Sequence, residues 1–305
     1  MKKLQFQGKR LHSLPTESRK HAAILVYILI VLLGELLIQA CQHRVGPTNE
    51  PGSIGHPSND SIISKPGNSD GPDGQVGVFK TLKIARTDTD YQMIQFDAAR
   101  KPVQYVNQHV VDQETGAVRR STYQFLHGLD GRLYRVNTVG GGYVVYLYGD
   151  NAGGPVLSTE EYDGKGEPLV LRAYSYSGDN RLIAIDQRRD DGSPPTRRTY
   201  QYDSRGNLSL ISDFVMDTQF RYVLETTTSF EDYDNGIQVE NLLAEFPFLP
   251  GVTFHRNNFC TKVIRYKDGR EISRETATYT YNKQGLPTQK VSRVRAGTLT
   301  TTYTY

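Results

Sequence analysis

Paired aromatic residues separated by one polar residue recur along the chain, and each pair is followed by a turn. In TYQYDSRGNLSLI, residues 199–211, Tyr200 and Tyr202 stand two apart, so both rings point to one face of a β-strand. The next residues are typical of a turn, because Gly206 is free to take a positive φ. Leu208 begins a second apolar run. The pattern predicts one β-hairpin.

This motif of paired aromatic residues followed by a turn recurs with a nearly constant spacing. Close copies cover residues 123–136, 174–185 and 279–291, and looser copies turn at Gly164, Gly166 and Gly269. Tyr174 lies 26 residues before Tyr200, and Tyr279 lies 24 before Tyr303. Repeats of this size stack so that each unit covers the apolar face of its neighbours. We therefore predict an all-β fold, an antiparallel meander of repeated β-hairpins that forms a long curled sheet or a partly open barrel. Closure of the sheet is left open.

One apolar stretch breaks the hairpin pattern, VENLLAEFPFLPG at residues 239–251. Leu242, Leu243 and Phe246 have helical spacing, and two prolines end the run. We predict a short helix or packed loop near residues 239–247 that plugs the end or the concave face of the sheet. An exposed contact for a partner protein is the alternative.

The N-terminus carries a different signal, a basic leader followed by AAILVYILIVLLG at residues 22–34. Thirteen uncharged residues are short for a spanning helix, which needs roughly 20, but they suit the apolar region of an export signal. The tetrapeptide ending at Cys41 resembles a bacterial lipobox, with small Ala40 before the cleavage point. We predict a lipoprotein signal peptide over residues 1–40 and lipidation of Cys41. An uncleaved signal anchor and a buried helix are the alternatives.

A polar linker follows the predicted lipidation site. Of residues 42–78, 20 of 37 are Pro, Gly, Ser or Asn, a composition that cannot bury enough apolar surface to order itself. The expected organisation is therefore a lipidated cysteine and disordered linker over residues 41–78 and a hairpin-repeat β domain over residues 79–305.

Charge and cysteine content narrow the choice of partners. The formal net charge is +3, but residues 1–40 hold six Lys or Arg against two Glu. The remainder is close to neutral, which gives no indication of a nucleic-acid partner. The only cysteine besides Cys41 is Cys260, so the exported domain has no internal disulfide pair. Cys260 is expected to be a half-buried strand residue rather than a reactive thiol.

Candidate chemistry is sparse. The histidines of the expected domain, His109, His127 and His255, lack metal-site spacing, and no nucleophile or phosphate-binding motif precedes a helix. We predict no catalytic residues, no cofactor and no enzymatic activity. In EDYDNG, Asp232 and Asp234 are candidate calcium ligands.

Tyrosines supply the remaining candidates. In YVVYLY, Tyr143, Tyr146 and Tyr148 are candidate stacking platforms for a ligand. The two-residue period places Tyr146 and Tyr148 on one face and Tyr143 on the other. Packing in the core is the competing interpretation for all three.

The C-terminal half resembles a known group of proteins. The runs FEDYDNGIQVENLLAEFP, FHRNNFCTKVIRY, TYTYNKQGLPTQKV and TTTYTY are similar to the corresponding region of uncharacterised Bacteroidota lipoproteins with YD-repeat-like hairpins. The resemblance implies an exported lipoprotein of unknown function with an open antiparallel sheet, attached to the outer membrane. Such proteins often carry acidic residues soon after the lipidated cysteine when they are surface-displayed. The run CQHRVGPTNE instead has His43 and Arg44, which favours the periplasmic face.

These observations predict a non-catalytic, lipid-anchored protein of the cell envelope. It would act as a binding or scaffold module through its β-sheet surface, with an envelope protein or polymer as partner and the membrane as its site of attachment. A glycan-binding module that uses exposed tyrosines is the alternative, and an enzyme of unknown reaction is the third hypothesis.

Overall fold

Sixteen antiparallel strands form the fold of the described chain. The computed structural model describes residues 80–112, 114–149 and 153–305. Each strand pairs with its neighbours in sequence, and β16 pairs with β1 through Ile84 and Tyr303, which closes the sheet into a barrel. The predicted antiparallel meander of hairpins is confirmed, and the sheet closes completely.

The first eight strands are β1 (Thr81–Ala85), β2 (Tyr91–Phe96), β3 (Pro102–Val110), β4 (Val118–His127), β5 (Leu133–Thr138), β6 (Tyr143–Tyr148), β7 (Val156–Tyr162) and β8 (Pro168–Tyr176). The second eight are β9 (Leu182–Arg189), β10 (Thr196–Tyr202), β11 (Leu208–Met216), β12 (Tyr222–Ile237), β13 (Asn257–Tyr266), β14 (Glu271–Tyr281), β15 (Pro287–Val294) and β16 (Gly297–Thr304).

The turn between β10 and β11 shows how the repeated motif folds. The Asp203 amide donates to the Asn207 carbonyl at 2.8 Å, and the Gly206 amide donates back to the Asp203 carbonyl at 3.0 Å. Gly206 has φ +84°, a conformation that a residue with a Cβ rarely adopts. Register slips by one residue between Gln201 and Tyr202, which is a β-bulge that increases the local twist. A similar slip next to the turn occurs in seven other hairpins of the described chain.

At four places in the described chain a tyrosine connects one hairpin to the hairpin before it. The tyrosine hydroxyl donates to the carbonyl of the first residue of the preceding return strand. The bonds are Tyr148 to Leu133 at 2.8 Å, Tyr202 to Leu182 at 2.9 Å, Tyr305 to Pro287 at 2.7 Å, and Tyr233 to Leu208. Each bond satisfies a carbonyl where the ladder ends. Other repeats differ, since the Tyr281 hydroxyl donates to Asp234 and the Tyr176 hydroxyl has no partner among the described residues.

The barrel has two distinct ends. The proximal end carries the turns at residues 97–101, 128–132, 177–181, 203–207 and 282–286, and the chain enters β1 at this end. The distal end carries the turns at residues 86–90, 139–142, 163–167, 217–221 and 266–270. Both ends of the lumen are thus defined by short hairpin turns.

The two faces of the sheet differ in chemistry. Inward-facing residues form one apolar core that includes Leu82, Ile94, Phe125, Val144, Tyr174, Leu182 and Leu208. Outward positions on β10 and β16 are occupied by Gln201, Thr300 and Thr302, and an ion pair of Arg197 with Asp186 lies outside at 2.8 Å. Exposed apolar side chains, among them Leu147, Leu157 and Ile183, share the outer face with these polar groups.

The connection between β12 and β13 is long and lies inside the barrel. It comprises residues 238–256, the plug segment, and contains a 3₁₀ turn at Asn241–Leu243. The prediction of a short helix or packed loop near residues 239–247 is confirmed. Phe248 packs against Tyr105 and Phe125, with ring centroids 5.0 and 4.9 Å away, and Phe254 packs against Tyr200 at 5.3 Å. These partners belong to well-separated strands, so the segment fills the lumen.

Candidate functional site: a charged chamber beside the plug

Two carboxylates of the plug segment bond to the barrel wall. Glu245 accepts hydrogen bonds from Arg198 at 3.0 Å and from the Tyr200 hydroxyl at 2.7 Å. Glu240 accepts one from the Tyr303 hydroxyl at 2.5 Å. Hydrogen bonds to charged groups contribute about 1.5–3 kcal/mol, so these contacts fix the depth of the plug segment.

Asn207 and Asn241 hold the return of the plug segment. The Asn207 side-chain oxygen accepts from the amides of Arg256 and Asn257 at 2.7 and 2.9 Å. Asn241 accepts from the amides of Phe254 and His255 and donates to the His255 carbonyl. Asn207 is fully buried, and it satisfies amides that no strand pairs. The plug segment is therefore a fixed part of the fold.

The plug segment leaves part of the lumen empty. A chamber of about 480 Å³ lies between its Glu240 and Glu245 and the inward side chains of the wall. Its lining reaches Arg86 and Asp90 of the β1–β2 turn, where the Arg86 side chain is 59% exposed. The chamber thus opens at the distal end.

Charged side chains of both signs line the chamber. Four bases and five acids contribute to it, namely Arg86, Arg198, Lys262 and Lys290 with Asp90, Asp213, Glu240, Glu245 and Glu275. Most of them are paired with one another. Lys290 lies 2.8 Å from Glu275, Arg198 lies 2.6 Å from Asp213, and Arg86 lies 3.5 Å from Asp90.

Glu275 shows how strongly these pairs interact. Burial would raise the pKa of its carboxyl, but the Lys290 ammonium, the Ser292 hydroxyl and the more distant Lys262 charge outweigh burial, and the net pKa is lowered. The carboxylate is therefore charged, and it neutralises the Lys290 charge.

Lys262 and Glu240 differ from the other charged residues of the chamber. Neither has an oppositely charged side chain within 4.0 Å among the residues that the structure describes. Lys262 lies over the Phe230 ring with its ammonium 6.0 Å from the centroid, and Glu240 has the Tyr303 hydroxyl as its partner. Neither residue therefore forms an ion pair within 4.0 Å there, although Glu275 is the cross-strand neighbour of Lys262 and the Lys262 charge helps to lower the pKa of Glu275.

His255 contributes an uncharged hydrogen-bonding group to the chamber lining. The Tyr233 hydroxyl donates its proton to the Leu208 carbonyl, so His255 Nδ1, 2.7 Å from that hydroxyl, must be the donor between them. Burial, with the charges of Lys262 and Lys290, lowers the pKa of His255 to about 3. The ring is therefore neutral at pH 7, and its Nε2 is a hydrogen-bond acceptor.

An apolar surface lies next to these groups. Phe230 and Phe259 line the chamber with ring centroids 5.2 Å apart, and both flank the His255 ring. Leu243 and Ile211 extend this surface. The chamber therefore offers fixed charges separated by apolar contacts, as small-molecule sites generally do.

The structure places the three tyrosine candidates apart. Tyr143 faces outward, stacked on Tyr162 at 4.9 Å with the Arg135 guanidinium 3.8 Å over its other side. Tyr146 faces inward and is buried, and its hydroxyl has no partner among the described residues. Tyr148 also faces inward and bonds to the Leu133 carbonyl. Each ring is thus engaged in packing, and the three form no common strip.

The calcium candidates have structural partners. Asp234 accepts from the amides of Gly236 and Asn258 at 2.9 and 3.1 Å and from the Tyr281 hydroxyl. Asp232 bonds to the Thr261 hydroxyl at 3.1 Å. Within the described ranges, no three His, Cys, Asp or Glu residues cluster as metal ligands. Calcium binding here stays a prediction.

Two further predictions concern the cysteines and the N-terminus. Cys260 is half-buried on β13, and burial, with the nearby Asp234 and Asp232, raises the pKa of its thiol. Cys41 lies outside the described residues. In the part of the chain that is described, no helix is long and apolar enough to cross a membrane.

Sequence reasoning did not identify Glu240 or Lys262. Lys262 stands in FCTKVIRY three residues after Phe259, so the two-residue period would place the two side chains on opposite faces. Both nevertheless line the chamber, opposite the part of β12 where Asp232 has φ +54°. Glu240 gave no sequence signal, because the direction of a loop side chain depends on how the plug segment enters the lumen.

Comparison with known proteins gives structural neighbours only. No family model matches the chain, and no curated protein matches it. A porin-like protein from Bacteroides uniformis aligns with 75% of this chain and 96% of its own at 15% identity and a TM-score of 0.49. A porin-like protein from Bacteroides vulgatus aligns with 73% and 97% at 13% identity and 0.43. A TcdB2–TccC3–Cdc42 structure aligns with 70% of this chain and 12% of its own at 19% identity and 0.22.

Proposed function

We propose that the chain is a non-catalytic binding protein of the cell envelope that takes a small polar ligand into its chamber. The observation that carries this proposal is the chamber itself, about 480 Å³ in volume, lined by charges and open at the distal end. Ligand sites are typically concave, with few fixed polar groups on apolar walls. The chamber has this composition.

The closed barrel changes where binding is expected. The sequence predicted binding through the sheet surface, by a face or an edge. Because β1 pairs with β16, no free edge is left to accept a strand from a partner. The outer face mixes polar side chains, ion pairs and exposed apolar residues, whereas the chamber concentrates charge. The lumen is therefore the better candidate for ligand recognition.

Binding accounts for the chamber better than stability does. Taking charges out of water costs free energy that pairing only partly returns, and an apolar core of similar volume would be at least as stable. An unpaired lysine and an unpaired glutamate in one lumen fit recognition of a ligand.

Attachment to the envelope is the second part of the proposal. The apolar segment at residues 22–34 and Cys41 support a lipid anchor, and the chain enters the barrel at the proximal end. A single cysteine carrying several acyl chains gives stable attachment.

The anchor makes a direct prediction for Cys41→Ala. In a bacterial host that processes lipoproteins, the wild-type chain should take up labelled fatty acid and fractionate with membranes, and the variant should take up none. Cys260→Ala is the matched control and should behave as the wild type. Equal labelling of wild type and Cys41→Ala would contradict lipidation at this position.

A pair of adjacent threonines tests binding in the chamber. Thr301 faces inward and lines the chamber, whereas Thr300 faces outward and is exposed. Full-length protein would be screened by thermal shift against amino acids, dipeptides, organic acids, sugars and nucleotides, because a ligand that prefers the native state raises the Tm. We expect Thr301→Trp to abolish the shift of a hit and Thr300→Trp to keep it.

Each outcome of that screen decides the proposal. Loss of the shift in Thr301→Trp alone supports ligand binding in the lumen. A hit that persists in a folded Thr301→Trp variant places the ligand elsewhere and overturns the proposal, as does the failure of every class to shift the wild type.

A further inference from the structure

We infer that the chamber recognises a zwitterion of amino-acid or dipeptide size, with its ammonium group at Glu240 and its carboxylate at Lys262. This inference rests on the proposed function and specifies its ligand class. It stands on the two charges that the fold leaves unpaired and on the apolar surface of the same chamber.

Lys262 is the anion-binding end. Its cross-strand neighbour is Glu275, but Glu275 forms its ion pair with Lys290 at 2.8 Å, and no carboxylate lies within 4.0 Å of Lys262 among the described residues. Two ammonium groups therefore share one carboxylate. An ammonium provides three donors, and the Phe230 ring stabilises its charge only weakly at 6.0 Å. A ligand carboxylate is the group that completes this site.

Glu240 is the cation-binding end. The Tyr303 hydroxyl donates one hydrogen bond to its carboxylate. Burial and the Glu240 charge raise the pKa of Tyr303, so the hydroxyl keeps its proton and remains a donor. An ionised carboxylate has about four acceptor positions. Those left over can accept hydrogen bonds from a ligand ammonium.

The surface between these groups sets the size and polarity of the ligand. Phe230 and Phe259 offer contacts for an apolar side chain, and His255 Nε2 offers an acceptor for an N–H donor such as a peptide amide. The volume of about 480 Å³ exceeds what a single small ion needs. An amino acid or dipeptide with an apolar side chain matches all three features.

Ligands with one charge match the chamber less well. A simple anion would neutralise Lys262 and leave Glu240 unpaired, and a simple cation would do the reverse. The remaining ions of the chamber are held in pairs or, around Arg198, in a triad with Asp213 and Glu245. Only a zwitterion supplies an opposite charge to both Lys262 and Glu240.

A crossed titration of ligands and variants tests the inference. The probes are the dipeptide alanyl-leucine, its N-acetyl derivative and its C-terminal amide, titrated calorimetrically into the full-length protein. Each blocked probe should bind about 10- to 100-fold more weakly than the free dipeptide, because each lacks one charge-assisted contact.

The variants assign each end of the ligand. Glu240→Gln keeps an acceptor for Tyr303 and should weaken the free dipeptide about 10-fold or more but not the N-acetyl derivative. Lys262→Met should weaken the free dipeptide similarly but not the C-terminal amide. Arg274→Met, an exposed outward residue, is the matched control and should change neither affinity.

The outcomes separate this inference from the proposed function. Equal weakening of all three probes by each variant would overturn the zwitterion, since the charges would then act without regard to the ligand termini. A hit from another class that Thr301→Trp blocks, together with no dipeptide binding, would also overturn the zwitterion while retaining the chamber as a binding site. Circular dichroism and Tm of each variant establish that the barrel is folded.

Discussion

Replacing Arg172 by Met should lower the free energy of unfolding by about 3 kcal/mol, because it leaves a carboxylate unpaired inside the barrel. Arg172 is 6% exposed and lies on the inward face of β8. Its guanidinium donates to Glu161 at 3.0 Å and to Gln187 at 2.9 Å. Met preserves most of the side-chain volume, so the loss measures the charge rather than a cavity. Urea unfolding monitored by circular dichroism gives the free energy.

Two further variants distinguish charge from packing at this site. Arg197→Met removes a similar ion pair, with Asp186, from the outer wall, where both side chains are about one third exposed. That loss should be at most about 1 kcal/mol. Adding Glu161→Gln to Arg172→Met should recover part of the stability, because the unpaired charge is gone. Equal losses for Arg172→Met and Arg197→Met would contradict the burial argument.

The hairpins could be predicted from sequence because their determinants are local. The spacing of Tyr200 and Tyr202, the turn with Gly206, and the return at Leu208 all lie within ten residues. The spacing of the tyrosines favours a strand, because alternate side chains share one face. The glycine favours a turn, because it can adopt a positive φ. The hydroxyl bond from Tyr202 to Leu182 adds a contact between neighbouring repeats, which explains the constant spacing.

Closure of the barrel could not be predicted in this way. It depends on pairing between β1 and β16, whose residues Ile84 and Tyr303 are far apart in sequence. Whether a meander closes depends on the sum of twist, stagger and strand number over the whole sheet. One bulge in each of several hairpins alters that sum, and the slip between Gln201 and Tyr202 is not visible in the residues themselves.

The site was predicted less well than the fold. A two-residue period correctly placed Tyr143 opposite Tyr146 and Tyr148, but it could not state which face is the lumen. The plug segment was predicted from its helical spacing, yet its orientation follows from distant contacts such as Glu245 with Arg198. The chamber exists only where the plug segment leaves space, and no local pattern encodes that space.

Asp234 shows why closely spaced acidic residues do not by themselves identify a calcium site. Closely spaced acidic residues are typical of calcium loops, but the same residues also terminate strands. The Asp234 carboxylate accepts from two backbone amides where the register of β12 with β13 is irregular. Which of these roles dominates depends on the partner strand, which lies more than twenty residues away in sequence.

Acidification should destabilise the wild-type protein more steeply than a His255→Gln variant. Burial, with Lys262 and Lys290, lowers the pKa of His255 to about 3, whereas an unfolded histidine has a pKa near 6.5. Between these values the unfolded chain binds a proton that the folded chain does not, so stability is fully present above about pH 6.5 and falls as pH decreases. The expected loss is about 1.4 kcal/mol per pH unit.

Comparison of the two proteins isolates this contribution. The groups facing His255 are Tyr233, Lys262 and Lys290, and all of them remain in His255→Gln, whose amide can still donate to the Tyr233 oxygen. The stability difference between wild type and variant should therefore change by about 2.3 kcal/mol between about pH 6.5 and about pH 4.5. Urea midpoints measured at half-unit intervals give this difference. Parallel pH curves for the two proteins, or an imidazole that titrates near pH 6.5 by NMR in the folded state, would show that His255 is not held neutral in the barrel.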